Sequence, residues 1–170
     1  MYNSVDIKVG RFIRQWVVSS CGSDQIRVDK RTNIWAIVKQ NLALLPEDYA
    51  IVNDRSEYIS IELLDAHSQR SYIHPAGCCL HLNSLYRCYI SESGQEAIRR
   101  YLENQFRSAF RVYMVASMRD GSREKILHAI TSFLLDYDLP VDSRILGRLS
   151  KDWYRYRQKN GEKLHIPIFF

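Results

Sequence analysis

Arg144, Arg148, Lys151, Arg155 and Lys159 stand at i, i+4, i+7, i+11 and i+15. On a 3.6-residue period they share one helical face. Ile145, Leu146, Leu149, Trp153 and Tyr156 take the other side. The chemistry offered is binding rather than bond breaking. A row of cations neutralises phosphates and releases their counterions, and arginine reads guanine edges with two parallel hydrogen bonds. Tyr154 lies beside the basic face, within reach of a sugar, phosphate or base. Arg100, Arg107 and Arg111, at i, i+7 and i+11 of an earlier helical run, form a second basic stripe expected to make secondary contacts.

The charge distribution supports this focus. Arg144 to Lys163 hold 7 Lys/Arg against 2 acidic residues, Asp152 and Glu162, a local charge of +5. The whole 170-residue chain also carries +5, because the remaining residues hold 17 basic and 17 acidic groups. A basic excess raises nucleic acid and anionic surfaces as partners without choosing between them.

Other constellations are weaker. His74, Cys78, Cys79 and His81, with Cys88 nearby, are zinc-ligand types, but the spacing H-x3-C-C-x-H lacks a C-x2-C knuckle. Asp54, Glu57, Glu62 and Asp65 surround a strand-like run and are of the type that holds Mg²⁺ for phosphodiester cleavage. However, Glu57 and Glu62 are five apart, so a regular strand points them to opposite faces. No phosphate-binding G-x-x-x-x-G-K-[ST], dinucleotide G-x-G-x-x-G or nucleophile-elbow G-x-S-x-G occurs. Tyr101, Tyr113 and Tyr137 sit at helical spacing, as packing residues do. The expectation is therefore no catalytic residue, no metal and no cofactor, leaning away from an enzyme.

These residues need elements to hold them. Lys8 to Ser20 reads as a first helix with Phe12, Ile13, Trp16 and Val17 inward, stopped by Gly22. Gln25 to Asp29 alternates as a short strand. Thr32 or Asn33 caps a second helix running to Leu44, with Ile34, Ile37, Val38 and Leu42 inward. Glu57 to Leu63 alternates cleanly, with Ile59, Ile61 and Leu63 on one face. Gln69 to His74 and Leu80 to Ile90 are further strands. Ser93 with Glu96 has capping-box spacing and opens a helix to Ser117, its stripe being Ile98, Tyr101, Leu102, Ala109, Tyr113 and Ala116. Arg123 to Tyr137 is amphipathic through Ile126, Leu127, Ile130, Phe133, Leu134 and Tyr137. Asp138-Leu139-Pro140 then turns into the basic helix, Val141 to Lys159, with Asp142 favourably placed near its start.

The expected architecture is α+β. N-terminal helices and a small antiparallel sheet (residues 1–92) precede a three-helix segment (93–170) ending in a helix-turn-helix-like pair, an arrangement that one compact domain can also hold. In that layout the second helix enters the major groove of DNA, favoured here over RNA, in a binding protein of regulatory type. An αα-hairpin with a solvated basic face has the same pattern. The turn lacks a small residue, and Gly147 weakens its helix by about 1 kcal/mol relative to alanine. The alternative function is an assembly module whose basic helix meets an acidic partner. A metal-dependent nuclease ranks third. The apolar tail residues Ile166, Phe169 and Phe170 suggest docking on the body or a homodimer. No apolar run approaches the roughly 18–20 residues of a membrane span. The N-terminus lacks signal-peptide order. Adjacent Cys78 and Cys79, with Cys21 and Cys88, fit a reducing cytoplasm.

Overall fold

A computed structural model describes residues 4–28, 33–44, 54–62, 88–118 and 123–160. The order is β1 (Ser4–Lys8), α1 (Arg11–Cys21), β2 (Gln25–Arg27), α2 (Asn33–Gln40), β3 (Leu42–Leu44), β4 (Tyr58–Glu62), β5 (Cys88–Ile90), α3 (Glu92–Ser117), α4 (Arg123–Asp136) and α5 (Ser143–Asn160). The class is α+β, with helices predominating. The chain divides into two compact units, Met1–Asn104 and Gln105–Phe170, and the division falls within α3.

In the first unit, β4 lies between β1 and β2. It pairs antiparallel with β1 and in parallel with β2, so the sheet is mixed rather than antiparallel throughout. A parallel pair needs a crossover, and the chain between β2 and β4 supplies one that contains α2. The register sets Val5 opposite Ile61 and Ile7 opposite Ile59. These four are buried, as are Ile13, Trp16 and Val17 of α1 and Ile34 and Val38 of α2. Gly22 takes the left-handed conformation (φ 72°) that ends α1, its N–H donating to Val18 O.

Several expectations are revised here. β1 replaces the expected helical start at Lys8, and α1 begins at Arg11. The second helix stops at Gln40, because Leu42–Leu44 pairs antiparallel with β5 instead. Ser60 is buried (1% exposed) despite lying on the polar side of β4. It is satisfied there: its Oγ donates to Asp6 Oδ1 at 2.6 Å, and Arg55 binds both residues.

α3 is capped by Ser91, whose Oγ accepts the Gly94 N–H at 3.3 Å, rather than by Ser93. Its first turn presses on the end of α2. A Cβ at Gly94 would collide with Asn41 Cβ, and Ser91 N donates to Asn41 O at 2.9 Å. The buried row along α3 is Ile98, Leu102, Phe106, Phe110 and Met114. Tyr101, Ala109 and Tyr113 are only half-buried and Ala116 is exposed.

The second unit centres on Phe133 of α4, ringed by Phe106, Phe110, Tyr113 and Tyr137 at centroid distances of 5.8, 5.3, 5.2 and 4.9 Å. Ile126, Ile130, Leu134, Leu139, Leu149 and Trp153 are buried as well. Leu127, expected inward, is 40% exposed. α4 ends in a Schellman motif: Leu139 N donates to Leu134 O (2.8 Å) and Asp138 N to Leu135 O (3.1 Å), with Asp138 left-handed at φ 51°.

Candidate nucleic-acid interface

α5 forms where its sequence predicts. Asp142 caps it directly, Oδ1 accepting the Ile145 N–H at 2.8 Å, and so does more than place a charge near the dipole. Leu149 and Trp153 bury one side, and Trp153 stacks on Tyr156 with centroids 5.8 Å apart. Arg144, Arg148, Lys151, Tyr154, Arg155 and Lys159 are all exposed. At 100° per residue the five cations occupy about 80° of arc, over about 22 Å of helix axis. Among the described residues, Arg144, Lys151, Arg155 and Lys159 form no ion pair.

The one acidic residue of α5 is Asp152. Arg111 of α3 holds it at two points, Nε to Oδ2 at 3.1 Å and Nη2 to Oδ1 at 2.8 Å. The same guanidinium lies 5.0 Å from the Tyr156 ring centroid. One residue thus neutralises the carboxylate and buttresses the apolar side of the helix. Neither role is visible in the sequence, where spacing makes Arg111 a member of an outward stripe. The signal available is that α5 holds a single acid at the edge of its basic arc.

The other stripe residues are placed differently. Arg107 is exposed in the second unit. Arg100 belongs to the first, where its Nε donates to Glu96 Oε1 at 2.7 Å. Arg99 also binds Glu96, at 2.7 and 2.8 Å, and reaches Glu103 at 2.7 Å. Hydrogen bonds from Arg99 first, and then from Arg100, hold the Glu96 carboxyl down at about 2.

In the first unit several charges are paired with one another. A hollow of about 530 Å³ in the first unit is lined by Lys8, Gly10, Glu57, Gln95, Glu96 and Arg99, among others. Its cations are engaged, Lys8 with Glu57 at 3.1 Å and Arg99 with Glu96. Asp54 accepts the Ser56 N–H at 2.9 Å, which lowers its pKa. Among the described residues no three His, Cys, Asp or Glu side chains converge as metal ligands. His74, Cys78, Cys79, His81, Asp65 and the tail residues Ile166, Phe169 and Phe170 lie outside the described residues. No helix among the described residues is long and apolar enough to cross a membrane.

Six residues, 137–142, link α4 to α5. That exceeds the 3–4 residues of a typical helix-turn-helix turn. Asp138 takes the left-handed position for which glycine is the usual choice.

Comparison with protein-family models, curated proteins and solved structures finds no match.

Proposed function

We propose that this protein binds nucleic acid, duplex DNA in preference to RNA, through the outward face of α5. Arg144, Arg148, Lys151, Arg155 and Lys159 contact phosphates and base edges, Tyr154 lies at the margin, and Arg107, exposed in the same unit, is a secondary contact. The observation carrying this reading is the Arg111–Asp152 pair. It occupies the only carboxylate of α5, so the helix offers Arg144, Lys151, Arg155 and Lys159 without a competing anion of its own. A polyanion that covers them releases counterions, and binding then weakens steeply with salt.

The test is retention of a mixed-sequence duplex at low salt. The double variant Arg148→Glu/Lys151→Glu, changed only at exposed positions, is expected to fold as the wild type does and to lose binding. With five phosphate contacts the wild-type slope of log Kobs against log salt is expected to be about −4.5. Unchanged retention by the double variant rejects the reading.

A further inference from the structure

Four glycines lie in the described regions, and three have a structural reason. Gly10 and Gly22 adopt positive φ (83° and 72°), and Gly94 is pressed against Asn41. Gly147 has none. It lies inside α5, is exposed, has no positive φ, and a Cβ built on it meets nothing within 4 Å. Alanine would fit and would strengthen the helix. What glycine supplies that alanine does not is bare backbone, which another molecule's atoms can approach closely.

The surroundings indicate what approaches. On the helix surface Gly147 neighbours Arg144 at i−3 and Lys151 at i+4, with Tyr154 one further turn along. All three side chains are exposed. Between Arg144 and Lys151 the helix surface at Gly147 is a notch with bare peptide backbone as its floor.

We propose that one sugar–phosphate strand of duplex DNA seats in this notch. The strand lies in van der Waals contact with the backbone at Gly147, while Arg144 and Lys151 hold phosphates on either side. This deepens the α5 reading and rests on it. Contact at a bare backbone position is a steric requirement, distinct from the charge requirement of the cation row. It therefore responds to a methyl group that changes no charge.

The experiment measures fluorescence anisotropy of a mixed-sequence 20-base-pair duplex at low salt, together with thermal melting, for the wild type, Gly147→Ala and Gly147→Leu. Gly147→Ala is expected to raise Tm by about 2–4 °C, the shift expected from about the helix-propensity gain in a chain of this size. It is expected to weaken binding about tenfold, and Gly147→Leu to weaken it further. A stabilised Gly147→Ala protein that binds as tightly as the wild type, or more tightly, overturns the notch while leaving the α5 reading in place. Failure of the wild type to bind, or equal binding by Arg148→Glu/Lys151→Glu, overturns both.

Discussion

Arg111 and Asp152 join α3 to α5 within the second unit by two parallel hydrogen bonds, 3.1 and 2.8 Å long. Their separation in sequence is 41 residues, so the pair is a tertiary contact and not a helical i, i+4 pair. Both side chains are about one-third exposed or less, at 33% and 26%. Such a fork-to-carboxylate pair is worth more than an ordinary surface bridge, and its removal costs roughly 1 kcal/mol.

Arg111→Met leaves Asp152 unneutralised beside the basic arc, spaced to reach Arg148 at i−4 or Arg155 at i+3. One cation is then lost to the ligand. The slope of log Kobs against log salt is expected to become shallower by about 0.9. Adding Asp152→Asn is expected to restore the slope while stability stays low. A single variant with wild-type slope would show that the pair is structural only.

Asp138 carries strain that the fold does not need. Its left-handed φ of 51° is costly for a residue with a Cβ, and its charge sits at the carbonyl end of α4, where the dipole disfavours anions. Asp138→Gly is expected to raise the stability of the second unit by about 1 kcal/mol. Asn should fall between the two. Urea unfolding checks this, and a lowered midpoint for Asp138→Gly would mean that the Asp138 side chain contributes a contact worth more than the strain.

The elements with long uninterrupted periodicity are legible in the sequence. α3, α4 and α5 lie within two residues of their expected ends, and β4 within one. What differs is decided by partners elsewhere in the chain. Leu42–Leu44 continues a helical pattern and becomes a strand because β5 offers a ladder. Val5, Ile7 and Val9 alternate, yet the apolar spacing that begins at Phe12 draws the expected first helix back across Gly10. Spacing alone favours Tyr113 and Ala116 over Phe106 and Phe110, since a 26-residue helix allows more than one apolar row and the packing around Phe133 selects one. The exposed row of α5 is readable from spacing alone. The Arg111 clamp is not, because nothing local relates it to Asp152.

Gly94 marks a close approach of α3 to Asn41 and Ile90 in the first unit. A methyl group there would collide with Asn41 Cβ and stand 2.8 Å from Ile90 Cγ2. Neither neighbour is the loose end of a long side chain. Asn41 is further held by its Nδ2 bond to Ile37 O at 2.8 Å and by Ser91 N donating to its carbonyl. Gly94→Ala is therefore expected to destabilise by about 1–3 kcal/mol, an overpacking cost, where an ordinary helical Gly→Ala change would stabilise. Chemical denaturation reads the sign, and opposite signs at Gly94 and Gly147 would separate a glycine that the fold requires from one that it does not.

Glu96 gives the first unit an acid-sensitive anchor. Hydrogen bonds from Arg99 and Arg100 hold its pKa at about 2, against an ordinary value of 4.5. The folded pKa is depressed, so the unfolded chain binds more protons between these values and stability rises with pH across that window. The contribution is complete above about pH 4.5 and is lost as pH falls towards about 2. Glu96→Gln abolishes the titration but leaves an amide oxygen able to accept from the arginines. Urea midpoints measured from pH 2 to pH 5 are expected to fall more steeply on acidification in the wild type than in the variant, and to converge at the acid end. Parallel curves across that range would show that the Glu96 carboxylate is not held by its two arginines in solution.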